Sequence, residues 1–208
     1  MVDRPGVSVA VRRVELADVD ALSASLARAF FDDPVTEYFF PHMHDRSRRL
    51  ERYFRLHLRT LFIPRGEAWT TPGLEAASMW MPPGTRQPSL RQALAQLLPI
   101  VAILGGRVSK ASRLVHLLES HHPRASHYYL GGLGTDPEAQ GRGYGSALLD
   151  VVHYRCDAEG LPSYLENSKE RNLAFYHRHG YEVIGDLVLP DTESPLWLMW
   201  REPGAGSA

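Results

Sequence analysis

Apolar residues at 7, 9, 11 and 14 alternate with polar ones at the start of the chain, and that period predicts a strand over residues 7–14. After Asp18, a carboxylate suited to an N-cap or first turn, apolar positions fall at 19, 22, 26, 29 and 30, which is helical spacing. Pro34 disfavours helical geometry at Asp33 and ends that helix around residues 31–34. A short aromatic segment, 35–40, follows. Leu50, Tyr53, Phe54, His57, Leu58 and Leu61 then share one side of a helix over 46–62. Strands are expected at 67–71 and 76–81, joined by a hairpin turn at Pro72 and Gly73. Two apolar helices, 90–104 and 107–118, are separated by Gly105 and Gly106. Beyond them the pattern reads strand 127–135, helix 143–158, strand 163–166, helix 172–179 and strands 181–189 and 196–200. The order predicts an α/β (α+β) protein with one mixed sheet and helices on both faces, a single domain over 1–203 and a frayed tail at 204–208.

Charge and cysteine content narrow the function classes. Lys and Arg total 23 against 24 Asp and Glu, a net charge of −1, which gives no electrostatic footprint for nucleic acid. All but two of the basic residues, Lys110 and Lys169, are arginine, and some of these suit anion recognition. The most apolar run, 93–104, is about half a membrane span and contains Pro99, so no membrane association is expected. One cysteine, Cys156, excludes an internal disulfide; with no signal-peptide-like apolar run in the first ten residues, a cytoplasmic location is expected. Cys156 shares an apolar helix face with Leu148, Leu149 and Val152 and reads as a buried hydrophobe. The ten histidines lack the i, i+4 spacing or cysteine partners of a zinc site, so no metal is expected.

The segment that carries chemistry is 129–149. A strand runs into a loop holding Gly141, Gly143 and Gly145, and a helix starts at once. Glycines let backbone N–H groups approach a ligand, and the helix N-terminus adds partial positive charge, so the turn suits a pyrophosphate. The spacing is not the dinucleotide fingerprint G-x-G-x-x-G, although Glu166 does lie 21 residues after Gly145, and the Gly-Lys-Ser/Thr of a P-loop is absent. A tight turn without ligand is the alternative.

Gln140, Gly143 and Gly145 fit the form Q/R-x-x-G-x-G/A, and Asn172, Ala174, Tyr176, Gly180 and Tyr181 fit a second signature in register with it. In these two stretches the chain resembles the GNAT acetyltransferases. A weaker resemblance continues through both ends of the chain, over residues 29–34, 165–168, 172–176 and the closing strand, and there the pattern is most similar to puromycin N-acetyltransferase-like proteins. The resemblance implies a mostly antiparallel central sheet with a splayed strand pair at the cofactor. It implies acetyl-coenzyme A as co-substrate and N-acetylation of a primary amine by direct attack. The cofactor would meet Leu133, Gly134, Thr135, Gln140, Gly141, Arg142, Gly143, Tyr144, Gly145, Ser146, Asn172 and Tyr176. Tyr176 would protonate the leaving thiolate.

Each role has a plainer counterpart. Tyr176 also suits a core aromatic and Asn172 an N-cap; Gly131, Gly132 and Gly134 fit a bulge or a close backbone approach, with a weak central strand as the plainer reading. Glu166, opposite Leu165 on its strand, is the candidate general base or else a solvated or salt-bridged carboxylate, with Arg171 as one partner, and Asp32, Asp33, Glu37 and His127 are other candidates for the base. A turn suits Asp32 and Asp33 better than an acceptor site. Helices 90–118 and residues 30–41 are expected to wall an acceptor pocket with Phe31, Tyr38, Phe39, Phe40, Tyr53 and Trp80. The expected partner is therefore a small-molecule amine, with the protein a monomer or homodimer. A protein or peptide amine, or an inactive acyl-coenzyme A-binding sensor, is the alternative.

Overall fold

The computed structural model describes residues 9–65, 67–85 and 90–205; expectations for 1–8 and 206–208 lie outside them. Among these described residues, seven strands form one sheet in the order β1-β2-β3-β4-β5-β7-β6. They are β1 (Arg12–Arg13), β2 (Ala68–Thr70), β3 (Ala76–Met81), β4 (Tyr128–Thr135), β5 (Ser163–Asn167), β6 (Glu182–Val188) and β7 (Pro195–Arg201). Every neighbouring pair is antiparallel except β4 and β5. The sheet is therefore mixed and mostly antiparallel, as expected. The first strand is shorter than predicted. Only Arg12 and Arg13 pair with β2, and the chain then leaves the sheet after one more backbone bond, from Val14 N to Ala68 O.

Among the described residues, seven α-helices flank the sheet: α1 (Val19–Ala29), α2 (Pro34–Phe39), α3 (Met43–His57), α4 (Leu90–Leu104), α5 (Val108–His121), α6 (Tyr144–Glu159) and α7 (Leu173–Arg178). α3 starts three residues before the predicted helix and ends in a single π-turn, Leu58–Phe62. The period-2 pattern of β3 sorts the core. Ala77, Met79 and Met81 face α1 and α3, where Leu22, Leu26, Leu50, Phe54 and Leu58 are buried. Ser78 and Trp80 face the other side: Ser78 donates to the Leu148 carbonyl, and Trp80 packs with Leu149, Val152 and Cys156 of α6. Each fully buried Leu or Val here contributes about 1.5–3 kcal/mol. That burial also pushes the Cys156 thiol up to about 12, which removes it as a nucleophile.

Two local choices position the site. Asp33 caps α2, its Oδ1 accepting from Val35 N and Thr36 N, with Pro34 at the first helical position. This holds α2 against the sheet. At the other end, Gly204 N donates to Asp157 Oδ1, so the start of the expected tail is tied to α6.

Candidate active site

β4 and β5 pair only at Tyr128 with Ser163 and Tyr129 with Tyr164, and then diverge. The cause lies on the opposite edge of β4. Met79 pairs with Gly132 and Trp80 with Leu130, so Gly131 is an extra, bulged residue. A bulge bends its strand and increases the local twist, turning residues 132–135 away from β5. Both readings of these glycines hold. Gly131 forms the bulge, and a Cβ on Gly134 would lie 2.6 Å from Phe30 and 3.0 Å from Leu26, so α1 packs directly on that backbone.

Two cavities open on this wedge, and they share Phe30, Asp33, Leu133, Asn172 and Tyr176. The first, about 410 Å³, runs along the glycine loop past Leu133, Gly134, Thr135, Gln140, Gly141, Gly143, Tyr144, Gly145 and Ser146. Gly141 and Gly143 have φ of +78° and +80°, which side-chain-bearing residues rarely adopt, and nothing stands within 4 Å of a Cβ at either. Gly143 caps the 16-residue α6 without a side-chain bond, so the first-turn N–H groups stay available to an anion. Lys169, Arg171 and Arg178 line the same cavity; the sequence reading missed them, and the arginine-rich composition was the only signal.

Of the twelve residues expected around a cofactor, Arg142 alone is absent from this wall, because its guanidinium turns back to the Glu138 carbonyl. Asn172 precedes α7 but makes no side-chain cap bond, so its amide is left for the cleft. Tyr176 is buried at the junction of the two cavities, and its hydroxyl makes no hydrogen bond among the described residues. Burial first, and the charge of Asp33 second, push that phenol above its ordinary range.

The second cavity, about 290 Å³, is bounded by α2, α3, α5 and the diverging strands. Phe39, Phe40 and Tyr53 line it as expected; Phe31, Tyr38 and Trp80 do not. Phe31 lies under the Arg46 guanidinium, Tyr38 packs with Leu114 and Leu187, and Trp80 is sealed under α6. Phe30, Phe54, Tyr129, Leu114 and Leu118 line it instead. Only α5 of the two extra helices reaches it; the described side chains of α4 do not, and Ile103 and Leu104 join the α1 and α3 core.

Glu166 lies on this cavity, with its Oε2 accepting from the Tyr129 hydroxyl at 2.7 Å. The Arg171 partner anticipated for it is engaged elsewhere: Arg171 and Lys169 both bind Asp32. Asp33 completes its capping role by accepting from Ser168. Glu37 pairs with Arg46, and His127 Nδ1 donates to Ala125 O. Elsewhere, Asp150, His153 and His179 place ligand-type atoms within 4.8 Å of one another, a grouping that linear spacing did not reveal. His153 Nε2 and His179 Nε2 are already bonded to Tyr181 and Ser146.

Residues 100–183 match the acetyltransferase (GNAT) domain family. An uncharacterised N-acetyltransferase of Schizosaccharomyces pombe is 30% identical over 209 residues, covering 94% of this chain and 84% of that one. A Corynebacterium glutamicum structure, described as histone acetyltransferase HPA2 and related acetyltransferase, superposes with a TM-score of 0.73 at 25% identity, covering 95% of this chain and 98% of that one. Drosophila melanogaster polyamine N-acetyltransferase shares the fold at TM-score 0.61 and 17% identity, covering 93% and 99%. No helix among the described residues is long and apolar enough to cross a membrane. With the splayed strands, the glycine loop and a relative matched along nearly its whole length, this chain belongs to the GNAT family and is an acetyltransferase.

Proposed function

We propose that the protein transfers the acetyl group of acetyl-coenzyme A to the primary amine of a small molecule, by direct attack within a ternary complex. The observation that carries this reading is the meeting of two unlike cavities at Leu133, Asn172 and Tyr176. Family members use acetyl-coenzyme A, and the cradle formed at Gly141, Gly143 and the uncapped start of α6 fits its pyrophosphate. When bound, the cofactor supplies the acetyl group as a thioester.

The chain's own groups then divide the work. Backbone groups of residues 133–135, on the edge of β4 that β5 has left, hold the pantetheine arm as an added strand would, and one N–H polarises the thioester carbonyl. Asn172 bonds the arm. Lys169, Arg171 and Arg178 place positive charge beside the phosphates. Glu166 takes a proton from the incoming ammonium, directly or through water, and Tyr176 gives one to the departing sulfur.

The size and lining of the second cavity support a small acceptor with an apolar or aromatic body. A peptide acceptor calls for an open groove, whereas α2, α3 and α5 close three sides here. Calorimetry with acetyl-coenzyme A and thiol release over a panel of aminonucleosides, polyamines and peptides test the reading. Binding that is lost in Gly143→Glu, with turnover on small amines, is expected. Turnover on peptides alone would reassign the acceptor, binding without turnover would indicate a sensor, and unchanged affinity in the variant would remove the loop from the cofactor site.

A further inference from the structure

Behind Glu166 stand two histidines whose hydrogen bonds determine their tautomers. His122 follows α5, and His127 precedes β4. His127 Nδ1 lies 2.7 Å from the Ala125 carbonyl, which only accepts, so this nitrogen carries the proton and Nε2 of the neutral ring is an acceptor. His122 Nε2 lies 2.9 Å from that acceptor and must donate to it. In neutral His122 this leaves Nδ1 as a bare lone pair. That atom is buried with no hydrogen-bond partner among the described residues, and it lies 3.7 Å from Glu166 Oε1.

A lone pair facing a carboxylate in a site where the two side chains are 5% and 9% exposed is unfavourable unless a proton comes between them. The other carboxylate oxygen is held by Tyr129, so Oε1 is the one left to exchange protons. Among the described residues, the titratable groups in ring or ion contact with the pair are Tyr129 of β4 and Tyr164 and Glu166 of β5, and β7 contributes the Trp200 ring.

We propose that His122 and His127 form a two-imidazole relay that carries the acceptor's proton away from Glu166, on the side facing away from the cavity. The relay rests on Glu166 as the base. The ammonium N–H bond breaks, and an O–H bond forms at Oε1. That proton moves to His122 Nδ1, restoring the carboxylate and making His122 an imidazolium. The proton on His122 Nε2 passes to His127 Nε2, and His127 gives its Nδ1 proton to solvent water beside the exposed Ala125; each ring is left in its other tautomer, and proton exchange with solvent after product release restores the starting pair. Both histidines act through Glu166 and are positioning residues.

The test is steady-state thiol release, as a function of pH, for wild type, His122→Ala and Glu166→Gln with an accepted amine. For His122→Ala, kcat should fall about tenfold or more with KM for acetyl-coenzyme A unchanged, and the acidic limb of its pH profile should move. Added imidazole should restore rate to this variant and leave wild type and Glu166→Gln unaffected. Wild-type kcat in His122→Ala across the pH range overturns the relay while a slow Glu166→Gln keeps the base. Full rate in Glu166→Gln removes the base and the relay with it. Loss of rate in His122→Ala with an unmoved pH profile and no imidazole rescue makes the pair structural. Nitrogen-15 NMR of the wild-type chain at about pH 9 is independent of any variant's folding. It should show His127 protonated at Nδ1 and His122 at Nε2; neutral His122 protonated at Nδ1 overturns the proposal.

Discussion

Tyr176 combines deep burial with a hydroxyl that has no hydrogen-bond partner among the described residues and that sits where the two cavities meet. Burial and the nearby Asp33 charge favour the neutral phenol, so it holds its proton throughout the physiological range and is available as a donor. Removing the hydroxyl should leave no buried group orphaned, so Tyr176→Phe should fold with near wild-type stability. Its kcat should fall on the order of 10²–10⁴ while acetyl-coenzyme A affinity, carried mainly by backbone groups, stays constant. Thiol release under conditions where chemistry limits the rate, paired with calorimetry, checks this; near wild-type kcat would leave Tyr176 a packing residue. The position of Tyr176 in the cleft was legible through the resemblance carried by residues 172–181, and the spacing of one helical turn then put Asn172 on the same side. The partners of Glu166 were not legible. His122 and Tyr129 reach it only because β4 and β5, some thirty-five residues apart, run parallel for two residues before separating.

At the scale of elements, β4 carries the geometry of the site, and its glycines are not equivalent. A Cβ on Gly132 would meet the Met79 methyl at 2.6 Å, the end of a flexible side chain that can swing aside. On Gly134 it would meet Phe30, Leu26 and the Ala29 Cβ together, and α1 would have to move. Gly134→Ala should therefore destabilise the fold by about 1–3 kcal/mol, the usual range for overpacking, and Gly132→Ala by less. Urea unfolding of the two variants side by side measures the difference, and equal losses would show that α1 yields as easily as Met79. The sequence marked this strand correctly, since three glycines in a strand pattern signal a bulge or close approach. Prediction was weaker for the aromatic wall. Tyr38 and Phe39 are adjacent, so which one enters the cavity depends on the rotation of α2, and that is set by the Asp33 cap and by packing rather than by composition.

Across the whole molecule, acid should weaken the fold in two separate windows. Asp18, Asp136 and Asp157 sit beside Arg12, Arg28 and Arg201, and each is held below the usual carboxylate range. A depressed carboxylate contributes above its unfolded pKa, about 4, and loses that contribution only below it. The buried histidines act earlier. His153 is enclosed between α6 and the sheet, bonded to Tyr181, and is pushed down to about 3, by burial first and by the Arg201 charge second. An unfolded histidine titrates near 6.5, so between there and about 3 the unfolded chain binds a proton that the native fold refuses. Stability must then decline as pH falls from about 6.5, by up to about 1.4 kcal/mol per unit for this one group. His57 and His179 are also lowered, chiefly by burial, and add to the same slope. His153→Gln keeps a polar partner for the Tyr181 hydroxyl and removes the titration. Urea unfolding from about pH 8 to about pH 4 should show wild type losing stability well before its carboxylates protonate, and His153→Gln losing it distinctly more slowly. Parallel slopes in the two proteins would mean that His153 accepts its proton in the folded state, with the α6 packing opening to admit it.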